Sequence, residues 1–436
     1  MTYARKIKTS LFSLLAAGAL ALSSSADVSA KDVVKIAVPA FLSGPAAGPF
    51  GVPARNGAEM VVDAINRGTL PAPYNSKGFA GVPVEATFID EAGGNTKQVS
   101  EYRNLVQKRG MDAVIGYISS GSCSALAPVV EELKTLTVFA VCGTPRVFEE
   151  APRRYIFRTM SHATADSVAA AHYIASMFPE LKGYTGINQN YAWGQDSWRD
   201  FSLSLSHLLP SAKASDKPQF PKIFAGQYGS EISALSLDPA ELVHSSFWDG
   251  DLEGFIFQAT PRGLFRSKKV VLTVGGTAAY RLGKRLPDGI ILGARGPYGV
   301  LVRDRKTALN EWFINSYKDR YGVYPSGPAY QYGQAILATK IAYDKAAAGG
   351  AFPDTEAVVD AFEGMEFESF STQVKMGNSN GHQAVTENVY GLSKWDSDAG
   401  EVTATDVRFY PGECVMPPDG VTSVEWIKGG MKGAKC

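Results

Sequence analysis

The sequence predicts an α/β protein with two domains, each built on a parallel sheet covered by helices. Short β-branched runs alternate with segments of helical spacing, and Gly- or Pro-containing loops separate them. Such alternation is typical of parallel sheets that are buried on both faces. The chain has 436 residues. One hydrophobic core rarely grows beyond about 250–300 residues, so we expect two sheets.

The composition excludes several classes of protein. The chain has 43 Lys and Arg residues against 43 Asp and Glu residues, and 45% of its residues are hydrophobic. A neutral, apolar-rich chain of this length is neither disordered nor fibrous. It also lacks the excess of basic residues that nucleic acid or an anionic membrane surface attracts. Its 4 cysteines are too few for a small disulfide scaffold.

The first thirty residues have the three parts of a secretory signal peptide. Arg5, Lys6 and Lys8 are basic, residues 11–22 form an apolar stretch, and Val28-Ser29-Ala30 offers small residues for cleavage. The apolar stretch falls short of the roughly 20 residues that cross a bilayer. We therefore expect export with cleavage after Ala30. No cysteine precedes Cys123, so we expect no lipid anchor.

The first half of the remaining chain repeats a strand, a loop and a helix. The predicted strands cover residues 33–38, 82–89, 113–116 and 136–141, and the predicted helices cover residues 58–65, 96–108 and 124–133. A second, less regular series follows. Its predicted strands cover residues 184–187, 254–257, 270–274 and 290–293, with a helix over residues 198–209.

The pattern changes toward the C-terminus. Residues 307–321 and 330–348 read as long helices. Two β-rich runs follow within residues 373–394, and the Asn380-Gly381 turn between them predicts a hairpin. From Tyr410 onward no apolar period survives, so we expect an irregular strap over the surface.

No catalytic motif is present in the sequence. It contains no G-x-S-x-G, H-E-x-x-H, G-x-x-x-x-G-K-[ST] or G-x-G-x-x-G pattern. The 5 histidines include no pair at i, i+4, so we expect no local zinc site. Asp90-Glu91, which ends a predicted strand, has the chemistry to hold a metal or to cap the next helix, and we favour capping.

The loop at residues 117–124 carries four serines at the start of a predicted helix. Helix N-termini attract anions through unpaired N–H groups and the helix dipole, so a carboxylate could bind here without Arg or Lys. Plain N-capping by Ser122 or Ser124 is the alternative, but it needs only one serine. Residues 142–144 follow the next strand at the same sheet edge. Open α/β sheets bind ligands at this edge, so we predict a ligand site where the two loops converge.

Four cysteines in an oxidising compartment predict two disulfides. Cys123 and Cys142 follow neighbouring strands at one sheet edge, and Cys414 and Cys436 bracket the C-terminal tail. These two pairings are the preferred ones, and the two other pairings of four cysteines remain open.

Several segments, taken in order and spacing, resemble a known family. They are KIAVPAFLSGPAAGPFG at 35–51, GAEMVVDAIN at 57–66, DAVIGYISSGS at 112–122, NYAWG at 190–194 and SNGHQ at 379–383. They are similar to the substrate-binding proteins of ABC transporters of the branched-chain amino acid type. The resemblance covers nearly all of residues 31–410. It implies the type I periplasmic binding fold, in which two Rossmann-like lobes are joined by three crossovers and the ligand lies between them.

The resemblance also implies domain boundaries and site residues. The implied boundaries are a signal peptide at 1–30, lobe one at 31–158 plus 297–370, lobe two at 159–296 plus 371–409, and a tail at 410–436. The implied ligand-binding residues are Phe50, Ser119, Ser120, Cys142, Gly143, Thr144 and Trp193. In the family a serine holds the ligand's carboxylate and corresponds to Ser120, while Phe50 and Trp193 correspond to aromatic residues beside the ligand.

One segment departs from the family. Amino-acid-binding members place an acidic residue after a late strand of lobe two, and the corresponding Thr273–Ala279 contains none. A buried ammonium group without a counter-charge is costly, which argues against an α-amino acid as the ligand. An apolar or aromatic carboxylate fits better, with an amide-like or other neutral solute as the alternative.

We therefore expect a periplasmic solute-binding receptor of an ABC importer that delivers a small solute to the permease's transmembrane subunits. We expect a monomer with no cofactor, no metal, no nucleic-acid partner and no enzymatic activity. The alternative is an exported α/β hydrolase-like enzyme with Ser120 or Cys142 as its nucleophile. That enzyme needs a base beside the nucleophile, and no local motif supplies one.

Overall fold

The strands of the chain form two sheets, one of eight strands and one of seven. The computed structural model of the chain describes residues 1–2 and 31–436, so almost all of the predicted signal peptide lies outside the described residues. In chain order the strands are β1 (Val34–Ala40), β2 (Val84–Asp90), β3 (Ala113–Gly116), β4 (Leu136–Phe139), β5 (Ile156–Arg158), β6 (Gly183–Gly186), β7 (Lys213–Ala214), β8 (Leu242–Ser245), β9 (Lys269–Leu272), β10 (Ile291–Gly293), β11 (Glu366–Glu368), β12 (Gln373–Asn378), β13 (Gln383–Val385), β14 (Asn388–Asp396) and β15 (Glu401–Tyr410).

Both sheets have a parallel centre and an antiparallel extension. The eight-stranded sheet has the order β11-β12-β13-β5-β4-β3-β1-β2, in which β1 to β5 pair in parallel. The seven-stranded sheet has the order β15-β14-β10-β9-β8-β6-β7, in which β6 to β10 pair in parallel. We call the first sheet with its helices the first lobe and the second sheet with its helices the second lobe. The predicted class, two α/β lobes with mostly parallel sheets, is confirmed.

Helices follow most strands and cover the sheets. They are α1 (Val52–Arg67), α2 (Asn95–Gln107), α3 (Ser120–Leu133), α4 (Arg146–Glu149), α5 (Ala163–Met177), α6 (Ala192–Leu208), α7 (Gly229–Leu237), α8 (Asp249–Ala259), α9 (Leu264–Ser267), α10 (Ala279–Leu282), α11 (Ala308–Tyr321), α12 (Gly327–Ala346), α13 (Thr355–Phe362), α14 (Gly412–Val415) and α15 (Ser423–Lys428). Strands β3 and β4 are buried along their whole length, as expected for strands that are covered on both faces. Within the described residues, every helix is too short or too polar to span a bilayer.

One predicted strand is a helix in the structure. Residues 254–257 lie in α8. The second lobe has instead a central strand, β8, that was not predicted. In α8 the buried side chains Leu252, Phe255 and Ile256 recur at helical spacing, whereas Phe257 is 41% exposed. A four-residue apolar run cannot by itself distinguish a strand from one buried face of a helix.

The chain's third passage between the lobes lies later than the predicted boundary near residue 370. Strands β12 and β13 form the predicted hairpin, with Ser379, Asn380 and Gly381 at positive φ in its turn. This hairpin belongs to the first lobe, because β13 pairs with β5 and the side chains of Val374 and Met376 lie in that lobe's core. The passage to the second lobe therefore lies between β13 and β14, at residues 386–387.

The C-terminal tail is more ordered than the predicted strap. It contains α14 and α15, which pack against α5 and α6 of the second lobe. The side chains of Trp426 and Ile427 are buried in that lobe's core. Both preferred disulfides are present, Cys123–Cys142 and Cys414–Cys436, so the tail is also covalently closed on itself.

The tail also contacts the first lobe. The side-chain amide of Asn378 donates a hydrogen bond to the Pro417 carbonyl at 2.7 Å, and the backbone N–H of Ser379 donates to the Asp419 carboxylate. The backbone N–H of Ser423 donates to Glu149 Oε1 at 2.9 Å. The tail therefore forms a noncovalent link between the lobes, in addition to the three passages of the chain.

We expect Trp426→Ala to lower the free energy of unfolding by about 3–5 kcal/mol, the usual cost of removing a large aromatic side chain from a core. The Trp426 side chain is only 3% exposed. Leu237→Ala is the control, because Leu237 is 87% exposed and its removal leaves no cavity. Denaturant unfolding of both variants measures the difference, and equal midpoints would show that the tail does not contribute to the core.

Candidate functional site

A small cavity lies between the two lobes, at the carboxyl ends of their parallel strands. It has room for about one water molecule, about 10 Å³, and it is lined by Phe50, Ile118, Ser120, Val141, Tyr191, Trp193, Trp248, Val274 and Arg295. The first lobe contributes the loops after β1, β3 and β4, and the second lobe contributes the loops after β6, β8, β9 and β10. The predicted convergence of loops at this edge of the sheets is therefore present, and both lobes take part.

Aromatic side chains from both lobes close the cavity. Phe50, in a π-helical turn before α1, meets the Trp248 ring edge to face with a centroid distance of 5.2 Å. Phe41 of the first lobe also packs against Trp248 and against Phe224 of the second lobe. Trp193, at the start of α6, is 2% exposed and lines the same cavity. Two of the predicted aromatic contacts, Phe50 and Trp193, thus face one space.

Ser120 lines the cavity, whereas Ser119 has a capping role. The Ser119 hydroxyl accepts a hydrogen bond from the Gly121 N–H at 3.2 Å and so caps α3. The Ser120 hydroxyl oxygen accepts hydrogen bonds from the N–H groups of Gly143 and Thr144, each at 3.2 Å. Ser120 therefore joins the two loops that the sequence analysis brought together.

The anion at the start of α3 is a side chain of the protein itself. The Glu91 carboxylate accepts hydrogen bonds from the N–H groups of Ile118 at 2.8 Å and Ser119 at 2.9 Å. Burial raises the pKa of Glu91 to about 7, although these hydrogen bonds favour its charged form. The favoured capping of the next helix, α2, by Asp90-Glu91 is wrong: α2 has no side-chain cap, and Glu91 instead binds the N–H groups that precede α3. The N–H groups expected for a ligand carboxylate are partly occupied.

The loop after β4 is close to the cavity, but its side chains do not all face it. Cys142 is bonded to Cys123, and the Thr144 hydroxyl donates a hydrogen bond to the buried Asp196 at 2.8 Å. Gly143 lies against the cavity, since a Cβ atom there would come within 2.3 Å of Arg295 Nη2 and 2.5 Å of the Trp193 ring. Only glycine allows the backbone to approach these two side chains so closely.

Arg295 is the charged residue of the cavity, and the sequence analysis did not identify it. Its side chain is 4% exposed, and the guanidinium stacks on the Trp193 ring with its Cζ atom 4.4 Å from the centroid. The Arg295 Nη1 group donates a hydrogen bond to the Val141 carbonyl at 2.6 Å. Its Nη2 group has no hydrogen-bond partner among the described residues, and its Nε group forms an ion pair of 3.4 Å with Asp166 Oδ2. A buried, half-satisfied guanidinium is a ready partner for an anion.

A signal for Arg295 was available in the sequence. It comes directly after the β10 strand, between Ala294 and Gly296, and therefore at the ligand-binding edge of a parallel sheet. The Arg295 backbone has a φ of 58°, a left-handed conformation that is unusual for arginine and turns the chain after the strand.

The hydrolase alternative lacks a nucleophile. Among the described residues, Ser120 Oγ has hydrogen bonds only to backbone N–H groups, so no base activates it. Cys142 is held in a disulfide and has no free thiol. Burial lowers the pKa of His162, and its Nδ1 atom has no partner among the described residues.

The chain is similar to periplasmic binding proteins in sequence and in structure. A family model described as "Periplasmic binding protein" matches residues 33–400. No curated protein sequence matches significantly. Among solved structures, a solute-binding protein of an ABC transporter from Rhodopseudomonas palustris BisB5, in complex with 3,4-dihydroxybenzoic acid, superposes with a TM-score of 0.74 at 18% identity, over 88% of this chain and 98% of that one.

Two further structures have the same fold. A solute-binding protein of an ABC transporter from R. palustris, in complex with benzoate, has a TM-score of 0.73 at 19% identity over 86% of this chain and 96% of that one. A leucine-binding protein from Thermotoga maritima has a TM-score of 0.68 at 18% identity over 86% of this chain and 98% of that one.

The family match extends over both lobes and over every loop that lines the cavity. It is a family of binding proteins and not of enzymes, in agreement with a site that has no activated nucleophile. The chain belongs to the periplasmic binding proteins of type I, the class that resembles leucine-, isoleucine- and valine-binding proteins.

Proposed function

We propose that this protein is the solute-binding receptor of an ABC importer and that it captures a small aromatic or apolar carboxylate in the periplasm. The observation that carries the proposal is the unpartnered Nη2 edge of Arg295 in an otherwise aromatic and aliphatic cavity. The receptor delivers its solute to the transmembrane subunits of a permease, as a monomer and without a cofactor.

The carboxylate of the ligand binds at the Arg295 end of the cavity. The Arg295 Nη2 group donates to one carboxylate oxygen, and the Ser120 hydroxyl, which is free to donate its proton, serves the other. The Gly143 backbone lies beside this group, so the carboxylate meets donors on one side and the Trp193 ring on the other.

The rest of the ligand lies mainly against aromatic and aliphatic side chains, with the Tyr191 hydroxyl as the one further polar group among the lining residues. The indole N–H of Trp193 donates to the Ser246 carbonyl at 2.8 Å, and that of Trp248 donates to the Tyr191 hydroxyl at 2.8 Å. The side chains of Phe50 and Val274 contribute only apolar surface. In this arrangement of the lobes the cavity, about 10 Å³, is far smaller than the roughly 300–1,000 Å³ of ligand sites, so even a compact solute enters only when the lobes separate. A compact solute with one polar end fits this lining.

An α-amino acid lacks a counter-charge for its ammonium group. No acidic side chain lines the cavity in the described part of the chain, and Val274 occupies the segment where amino-acid-binding relatives carry one. Asp249 follows Trp248 in the chain but does not line the cavity, and burial raises its pKa well above the usual range and so favours its neutral form.

The structural neighbours support the same ligand class. The two R. palustris proteins hold 3,4-dihydroxybenzoic acid and benzoate, and a third protein from that species holds 4-hydroxybenzoate. These ligands are planar aromatic carboxylates, which match a stacked guanidinium and tryptophan at one end and apolar walls at the other.

Ligand entry requires the lobes to separate. The cavity is closed by contacts such as Phe50–Trp248, which join the lobes directly. The three passages, near residues 158–163, 293–299 and 385–388, act as hinges for this opening. Closure around the solute then produces the form that the permease recognises.

We expect Arg295→Met to weaken benzoate binding by roughly tenfold to a hundredfold or more, because a hydrogen-bonded charge pair contributes about 1.5–3 kcal/mol. Arg295→Lys keeps the charge but loses the planar fork, so it falls between the wild type and Met. Arg103→Met is the control, since Arg103 forms an exposed ion pair with Glu132 on the surface. Calorimetry on ligand-stripped proteins measures the affinities, and unchanged binding by Arg295→Met would contradict the proposed site.

We expect benzoate to bind more tightly than benzamide, 3,4-dihydroxybenzoate or leucine. Benzamide lacks the negative charge, and leucine brings an unpaired ammonium group. The two hydroxyls of 3,4-dihydroxybenzoate would lose hydrogen bonds to water against apolar walls, at a cost of about 1–3 kcal/mol for each unsatisfied group. A thermal-shift series confirmed by calorimetry ranks the four compounds. Preferential binding of leucine would contradict the ligand class but not the receptor function.

A further inference from the structure

Asp166 connects Arg295 to residues beside all three passages between the lobes. The Arg295 Nε atom lies 3.4 Å from Asp166 Oδ2, in the first turn of α5, which follows the first passage. Arg295 itself lies in the second passage. Asn388, directly after the third passage, donates its side-chain amide to Asp166 Oδ1 at 2.7 Å. One buried carboxylate therefore connects the arginine of the cavity to the passages of the chain.

The contact between Asp166 and Arg295 is close but incomplete. Asp166 is 1% exposed, and its Oδ2 atom has no hydrogen-bond partner among the described residues. Its only contact with the guanidinium is the long ion pair of 3.4 Å to Arg295 Nε. The guanidinium can therefore still form a shorter bond to another anion, above all through its unpartnered Nη2 group.

We propose that Asp166 positions the Arg295 guanidinium for the ligand's carboxylate and competes with that carboxylate for it. The inference rests on the proposed function. Asp166 does not line the cavity, so its effect on the ligand is exerted through Arg295. The competition has a measurable consequence, because the ligand brings a second negative charge to a buried site that already holds one.

The charges around Asp166 come from several elements. Arg295 and Arg158 face it with positive charge, from the second and first passages. Tyr390 of β14 donates its hydroxyl to the Asp166 carbonyl at 2.7 Å, and Asn388 donates to the carboxylate. His162, which precedes α5, stays neutral because burial lowers its pKa. Burial raises the pKa of Asp166 to about 6, against the opposing effect of Arg295.

The direction of the linkage follows from these charges. A ligand carboxylate on Arg295 disfavours the ionised form of Asp166, so the complex holds a proton more tightly than the free protein. Binding therefore takes up protons, and the affinity rises as the pH falls through the pKa of Asp166. Glu91 is the alternative site of this proton uptake, because burial raises its pKa to about 7. Its carboxylate also accepts a hydrogen bond from the N–H of Ile118, which lines the cavity.

The experiment is calorimetric titration of the ligand-stripped protein with benzoate in two buffers of different ionisation heat, over a pH series. We expect a fraction of one proton taken up per ligand, largest at about pH 6–7 and absent at alkaline pH. Asp166→Asn should abolish this uptake and the pH dependence of the affinity, whereas Glu91→Gln should retain both. Asp166→Ala, which also removes the positioning contact, should bind benzoate roughly tenfold more weakly than Asp166→Asn.

The possible results separate the two proposals. No benzoate binding at any pH contradicts the proposed function and this inference with it. Binding without proton uptake contradicts this inference alone. Uptake that persists in Asp166→Asn, uptake that disappears in Glu91→Gln, or equal affinities of the Asn and Ala variants also overturn it. If the Asp166 variants do not fold, as judged by thermal melting, uptake in the wild type and its persistence in Glu91→Gln support the proposal.

Discussion

The parallel pairing of the central strands determines where this protein can bind a solute. Parallel strands end at the same edge of a sheet, so the loops after β1, β3 and β4 meet on one lobe and those after β6, β8, β9 and β10 meet on the other. The side chains that matter sit within a few residues of a strand end. Ser120 and Arg295 are examples, and their separation of 175 positions in the sequence is bridged by the fold alone.

The requirement to satisfy buried polar groups then decides what the cavity offers. Backbone and side-chain partners within the protein already take the indole N–H groups of Trp193 and Trp248 and the hydroxyl of Thr144. Glu91 takes the N–H groups at the start of α3. What remains for a solute is one edge of Arg295 and the hydroxyl protons of Ser120 and Tyr191. A site that is rich in polar atoms by composition therefore offers few of them to a solute.

Much of the fold was predictable, because local periodicity and turn chemistry carry it. The strand-helix repeats of the first half and the hairpin turn at Asn380-Gly381 agree with the structure. Residues 254–257 were assigned wrongly, because a short apolar run has no period of its own. The third passage was misplaced because the partner of a strand is a nonlocal property. The same reason applies in the site. Ser120 has a local signal, and Phe50 and Trp193 follow from the family resemblance, whereas the roles of Glu91 and Arg295 depend on partners far along the chain.

The tail has a mechanical consequence for the receptor. The Cys414–Cys436 bond and the packing of α14 and α15 fix it to the second lobe, while its bonds to Asn378, Ser379 and Glu149 reach the first. Residues 417–421 share a small cavity with Arg158 and His162 of the first passage and with Gln383, just before the third, so the tail lies beside two of the proposed hinges. When the lobes rotate about these hinges, a segment beside the rotation axis moves less than the edge of the cleft farthest from it. The tail can thus remain attached through an opening that admits a solute, and it opposes twisting of one lobe against the other.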